Sequence, residues 1–360
     1  MKKTVMLETI HSEDVPQQYV AHRPSPLPIE IIEQIIQEAW SSGMTIPERT
    51  FLFTSYCLVN HDWLSLFIRT ALIDVHIISP AFAEKYLHLL HERSATIGET
   101  DTDYFLHNAS YTANRLCRYL TFHVDSNPNR HTASAMEPAI RMYAETSQMG
   151  DCVSNVLYML DTLGYTPNLR RVTLDYADWG FGDVFDQMRL VPLPPQVTHL
   201  EIKYSFSEKL KSTAGGLRRS YDRKSNTAWK TPNVRKLTVS GAPALLVNAF
   251  VQTCPNLEVL EVSGLPYFGS LVQKMPESLR AMVLQLANAD SEDTVTMVGR
   301  EDVPKQEKDF GLEGYVIRRW FEDNKTPRRI TLCAEPPSHI RLAESFRKRA
   351  RRYSLEVVSH

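Results

Sequence analysis

His88 and His91 are the side chains in this sequence best spaced for metal ligation: three apart on a helix-patterned segment, they share one side of it. Such a site needs further ligands, and neither a nearby cysteine nor an H-E-x-x-H run supplies them, so the two are read as a surface pair. Asp101 and Asp103 have the spacing of paired carboxylates, yet their loop-like surroundings suit turn and cap positions better. Nucleophilic catalysis by a strand–turn–helix elbow would show G-x-S-x-G, which is absent. Phosphate binding would show G-x-x-x-x-G-K-[ST] or G-x-G-x-x-G; Gly215-Gly216 lies in a basic stretch with no strand before it. Fourteen glycines in 360 residues leave few tight loops for a cofactor. The sequence is therefore read as non-enzymatic, with no catalytic residue, no metal site and no cofactor.

The elements that position the remaining residues belong to a chain long enough to bury a large core in more than one domain. Its 43% hydrophobic and 23% charged residues are ordinary for a globular protein. A net charge of −2 argues against a dedicated nucleic-acid binder. Cys57, Cys117, Cys152, Cys254 and Cys333 are odd in number, far apart and without a CxxC pair, which fits reduced thiols in the cytoplasm or nucleus. The start of the chain has no secretory apolar region, and no run of 18 apolar residues crosses a membrane.

Residues 1–24 carry no periodicity and are read as a flexible tail. From Leu27 the pattern is helical. Leu27, Ile31, Ile35 and Ala39 make one stripe, while Pro28, Ile32, Ile36 and Trp40 make a second beside it. Pro28 suits the first turn, Glu30 and Glu33 complement the dipole, and Ser41-Ser42-Gly43 stops the helix. An apolar face this broad can pack inside its own domain and still leave part free for something outside. After a polar insert, Ser41 to Arg49, the segment from Thr50 to Trp63 predicts two short helices.

Leu-Pro-x-Glu-Ile opening a helix, followed about 30 residues later by Leu-Val-x-x-x-Trp, resembles an F-box, notably the form common in basidiomycete fungi. The resemblance covers residues 25–68. It implies a small all-α three-helix domain that binds the Skp-type linker of a cullin-containing ubiquitin ligase complex. The positions that match are Leu27, Pro28, Ile31, Ile35, Leu58, Val59 and Trp63, with internal core as the alternative place for Leu58, Val59 and Trp63. The long insert and His61-Asp62 depart from the family pattern.

Residues 69–360 repeat apolar-x-x-apolar-x-apolar, often after Pro-Asn: Leu169/Val172/Leu174, Val197/Leu200/Ile202, Val234/Leu237/Val239, Leu257/Leu260/Val262 and Leu279/Met282/Leu284. Weaker copies start at Leu72 and Cys117, another includes Ile330 and Leu332, and Leu355/Val357 suggest a last one. The end of each unit alternates as a strand does, and helical stretches (Phe82–Leu90, Met136–Thr146, Val153–Leu163, Ala244–Thr253) lie between. The expected fold is α/β: a parallel sheet with helices on its outer side, preferred as a solenoid, with a generic α/β domain as the alternative.

The repeat resembles the leucine-rich repeat but is irregular. Motif starts from Leu169 lie 28, 37, 23 and 22 residues apart, and the usual Asn or Cys after the strand is replaced by Ala177, Ser205, Ala242 and Leu265. Without that polar ladder a less curved horseshoe is expected. Insertions near 205–230 (basic) and 287–311 (acidic at first) are read as solvated loops, the basic one alternatively as a grip on an acidic partner. Phe346 to Arg352 reads as a capping helix, with a nuclear-import signal as the alternative. Taken together, the resemblances imply a substrate-recognition adaptor of an SCF-type (Skp–cullin–F-box) ubiquitin ligase, binding the Skp-type linker and through it cullin at one end and a protein substrate at the other. The alternative is a leucine-rich-repeat scaffold that acts without a ligase.

Overall fold

A computed structural model describes residues 27–91, 101–125, 148–179, 193–206, 230–265, 275–286 and 329–333. Outside them lie the tail, the Met136–Thr146 helix, nearly all of both insertions, the Phe346–Arg352 segment and the Leu355/Val357 strand.

Helix α1 (Ile29–Ser41) begins after Pro28, which stands at the N-cap instead of inside the first turn; its carbonyl accepts from the Ile31 and Ile32 N–H groups. Ser42 ends it in extended backbone, donating its N–H to Ala39 O. Helix α2 (Ile46–Cys57) starts inside the expected polar insert. Thr45 and Glu48 form a reciprocal capping box there and Pro47 occupies the first turn, signals local enough to outweigh the polar composition. Helix α3 (His61–Ile73) is capped by Asn60, whose Oδ1 accepts from Trp63 N at 2.9 Å, and runs well past Trp63. The three helices close on Ile32, Ile36, Trp40 and Phe67, with Tyr56 and Trp63 packed around them. Trp40 meets Phe67 edge-on at 5.2 Å, the geometry that aromatic quadrupoles favour.

An eight-stranded parallel sheet follows, its strands in chain order: β1 (Asp74–Ile77), β2 (Tyr119–Asp125), β3 (Arg171–Ala177), β4 (His199–Ser205), β5 (Lys236–Ser240), β6 (Val259–Leu265), β7 (Ala281–Leu286) and β8 (Arg329–Cys333). The sheet is open, so the described residues form an α/β fold with β1 and β8 as its terminal strands. Register aligns like with like. Leu120, Val172, Leu200, Leu237, Leu260 and Met282 are successive partners, as are Phe122, Leu174, Ile202, Val239, Val262 and Leu284. The first apolar residues of the units, from Cys117 and Leu169 to Leu279, are equally enclosed. Three apolar rows thus fill one face of the sheet, which explains why the spacing recurs while the unit length wanders.

Helices α4 (Pro80–His91), α6 (Gln148–Leu163) and α7 (Ala244–Thr253) bring Tyr86, Leu90, Val156, Leu157, Leu160, Leu246 and Phe250 into that same core. A parallel sheet covered on both faces would read as continuous apolar strands; here the strand sequences alternate, and among the described residues α4, α6 and α7 all pack on the apolar face. Helix α5 (Asp101–Leu116) corrects the loop reading of Asp101 and Asp103, which fall in its first turn. Its sequence is rich in Asn, Ser and Thr, poor helix formers. Tertiary contacts hold it: Ala113 is fully buried, and Asn114 Nδ2 donates to Leu90 O at 3.1 Å. Gly164 continues α6 into a left-handed turn at φ 64°.

A polar ladder does tie the units together, at the opposite end from where the leucine-rich-repeat pattern puts it. Asn168 Nδ2 donates to Arg115 O (2.8 Å), Gln196 Nε2 to Thr166 O (3.3 Å), Asn256 Nδ2 to Pro232 O (2.9 Å) and Ser278 Oγ to Pro255 O (3.1 Å). The turns before β3, β4, β6 and β7 therefore each grip the preceding unit. At the far strand ends Tyr176 and Tyr204 stack at 5.4 Å, with Trp179 beside Tyr176. Gly241 follows at φ +70°, so close to Tyr204 that a Cβ would lie 2.2 Å from its carbonyl oxygen.

Candidate functional site

Two surfaces of opposite character flank the core. The first is on the helical unit. Of the two stripes on α1, the one containing Ile32 (2% exposed), Ile36 (0%) and Trp40 packs inward. The other leaves Ile31 at 44% and Ile35 at 42%, with Leu27, Pro28 and Ile29 exposed ahead of them. Leu58, 84% exposed, and Val59 stand in the turn between α2 and α3. Six of the seven positions chosen from sequence (Leu27, Pro28, Ile31, Ile35, Leu58 and Val59) therefore face outward, and internal core is excluded for Leu58 and Val59. Trp63 is different: it is partly buried, its ring 5.4 Å from Tyr56 in the helical core. Phe51, 73% exposed, and Ile29 are further exposed apolar side chains of the helical unit and were not singled out, since periodicity does not tell an outer stripe from an inner one.

Arg49 braces the two ends of the α1–α2 turn. Its buried guanidinium donates to Trp40 O (2.7 Å) and Ser42 O (3.2 Å) and lies 4.8 Å from the Trp40 ring centroid. Burial lowers its pKa and the Asp74 and Asp175 carboxylates oppose that shift. Trp40 in turn donates its indole N–H to Asp74 O at 2.8 Å. Ile73 O already accepts from Arg118 N on the β2 side, so alternation turns Asp74 O to the outer edge of β1. The helical unit thus covers a sheet edge that would otherwise offer unpaired backbone.

The second surface is the open face of the sheet, where the alternate residues are polar. Thr173 Oγ1 donates to Glu201 Oε2 (2.9 Å), and Lys203 Nζ reaches the same carboxylate at 3.2 Å. Across β5 and β6, Thr238 Oγ1 donates to Glu261 Oε2 (3.1 Å), and Lys236 Nζ lies 2.8 Å from Oε1. Since the Thr238 proton goes to Glu261, the 3.0 Å contact with His199 Nε2 requires an N–H on that nitrogen. Burial first, then Lys236, pushes His199 down to about 4, so it is neutral through the physiological range. Glu201 is lowered by Lys203, the Thr173 hydroxyl and Arg171 against the opposing effect of its burial. Among the described residues the face is a grid of matched charges with side chains held in place.

The cysteines Cys57, Cys117, Cys152 and Cys254 are free thiols, and burial pushes Cys117 up to about 12. His88 is exposed, while His91 Nδ1 is engaged by the Tyr165 hydroxyl at 2.6 Å. Among the described residues no group of His, Cys, Asp and Glu is arranged to hold a metal ion, and no helix is long and apolar enough to cross a membrane. No family model matches the chain, and no curated protein matches it significantly.

Proposed function

We propose that the chain is a substrate-recognition adaptor of an SCF-type ubiquitin ligase. In this reading α1 to α3 are an F-box that binds the Skp-type linker, and through it cullin, by Leu27, Pro28, Ile31, Ile35, Leu58 and Val59. Trp63 holds the unit together from inside. The sheet and its helices are an irregular leucine-rich-repeat-like solenoid whose open face receives a protein substrate. The observation that carries the reading is the outward isoleucine stripe of α1 on a unit whose own core is already complete. Burying each such side chain in a partner is worth about 1.5–3 kcal/mol before the cost of association is subtracted. The open face suits a different task, because its charges are internally matched and its β4–β7 end lies away from the helical unit. Holding a substrate lysine close to a ubiquitin-loaded enzyme raises its effective concentration, and the adaptor needs no chemistry of its own.

Affinity purification of the tagged full chain with mass spectrometry tests this. A Skp-type linker and cullin are expected, and both should be lost on replacing Leu27 and Pro28 with alanine while the circular dichroism spectrum is unchanged. Recovery of a folded protein without linker or cullin overturns the proposal.

A further inference from the structure

A third surface runs along the edge where the strands begin. From β2 to β7, the residue after the first apolar position of each unit is Arg118, Arg170, Thr198, Arg235, Glu258 and Arg280 in turn. Backbone hydrogen bonds join these residues in one ladder. Arg170 N–H donates to Arg118 O (2.9 Å), Thr198 to Arg170 (3.0 Å), Arg235 to Thr198 (2.8 Å), Glu258 to Arg235 (2.7 Å) and Arg280 to Glu258 (2.8 Å). Arg118, Arg170, Arg235 and Arg280 are exposed. Among the described residues Arg118 and Arg280 have no carboxylate partner, and the Arg170 guanidinium reaches only Gln196 O, at 3.4 Å. Arg235 donates to Glu258 Oε1 at 2.6 Å and keeps further N–H groups for another acceptor.

The ladder sets the spacing of these charges. Neighbouring strands lie about 4.8 Å apart, so Arg118 is one such step from Arg170. Arg170 to Arg235 and Arg235 to Arg280 are two steps each, about 9.6 Å. A polyproline II chain rises about 3.1 Å per residue with three residues per turn, so every third side chain returns to one face after about 9.3 Å. An α-helix repeats its face after seven residues, about 10.5 Å, and falls out of step by about 2 Å over the row. In a β-strand third neighbours point to opposite faces. Nucleic acid fits poorly, because its charge is continuous, roughly one phosphate per 3.4 Å of each duplex strand, and would press on the Glu258 carboxylate. The net charge of −2 opposes such a polyanion as well. Discrete acidic side chains can avoid Glu258 and meet the arginines alone.

We propose that this arginine row is a docking site for an extended acidic segment of a partner protein, with Asp or Glu at every third position. In polyproline II form the segment lies across the strands, and its successive carboxylates accept charge-assisted hydrogen bonds from Arg170, Arg235 and Arg280. Arg118 brings a second guanidinium to the carboxylate at Arg170. A chain already in this conformation loses less freedom on binding than a flexible one. The row is separate from the outward isoleucines of α1, so the proposal stands whether or not a linker binds there.

Fluorescence anisotropy of the full chain with a labelled peptide of Glu-Pro-Pro repeats tests the proposal. Saturable binding is expected, about tenfold tighter than for a peptide of the same composition whose glutamates are contiguous. Arg170→Ala and Arg280→Ala are each expected to weaken binding about three- to fivefold, as exposed ion pairs do, and the double variant by about tenfold or more. Glu258→Gln is expected to strengthen binding about twofold by removing a like charge from the row. All of these side chains are exposed or half-buried, so melting temperatures should hold. Equal affinity for the two peptides overturns the proposal, and so does tighter binding of labelled oligo-dT than of the repeat peptide. Neither comparison needs a variant. Binding that survives the double substitution overturns it too.

Discussion

In α1 neighbouring isoleucines have opposite fates: Ile36 is enclosed while Ile35 faces outward, and Ile31 and Ile32 divide in the same way. In the strands no such division exists. Val172 and Leu174, and their counterparts in every unit from β2 to β7, point into the core, and the side chains between them are mostly polar. The two regions are built from the same residue types but finish their surfaces differently. A small three-helix unit cannot enclose two apolar stripes, whereas a sheet backed by helices encloses all three of its rows. Unfinished burial on a finished core is what supports the proposal that the helical unit is the end that takes a partner.

That contrast can be broken by mutation. Ile36→Ala is expected to lower stability by about 2–5 kcal/mol in chemical denaturation, because it opens a cavity in a core of very few residues. Gly241→Ala is expected to cost about 2–3 kcal/mol, since the new methyl meets Tyr204 O in a left-handed backbone. Its effect belongs to the sheet and should leave the helical unit able to capture a partner. Arg49→Met keeps the aliphatic packing but leaves Trp40 O and Ser42 O without their donor, for a loss of about 1–3 kcal/mol.

A smaller effect reads out the open face. His199 titrates near 4 when folded against about 6.5 when unfolded, so in that window the unfolded chain binds the proton. Its contribution is present above the unfolded value and lost as pH falls toward 4. The melting temperature is expected to drop between pH 7 and 5 more in the wild type than in His199→Asn. The smallest effect is the most telling. Ile35→Ala should change stability by less than about 0.5 kcal/mol, as exposed substitutions do, while weakening linker capture. Equal losses for Ile35→Ala and Ile36→Ala would erase the distinction between the two stripes.

The fold was largely legible because the rows are written plainly. Each apolar-x-x-apolar-x-apolar motif from Leu72 to Leu284 yielded its strand, as did Ile330 with Leu332, and the Ala244–Thr253 helix falls on its expected bounds. Helix α5 was hidden because its propensities are poor and its support comes from Leu90, far away in sequence. The inter-unit ladder was sought after each strand, where Asn or Cys is missing. It lies instead at Asn168, Gln196, Asn256 and Ser278, and the recurring Pro-Asn lead-ins already held that signal. The run of side-chain contacts from Asp74 through His76 and His123 to Asp175 left no trace in the sequence, since it joins residues of three units with no fixed spacing.

By itself the sequence determined that apolar residues at a spacing of three and then two would stack into a parallel sheet. Side-chain alternation and register leave them no other face on which to be buried. It also determined that α1 carries more apolar surface than one interface needs. Only the tertiary structure decided which stripe is which. Trp40, placed at the end of the Ile32–Ile36 row, reaches the edge carbonyl of Asp74 and the ring of His76 and turns that row inward. Periodicity fixes angles around a helix axis, and the docking partner fixes where the axis points. Ile31 and Ile35 face outward for that reason.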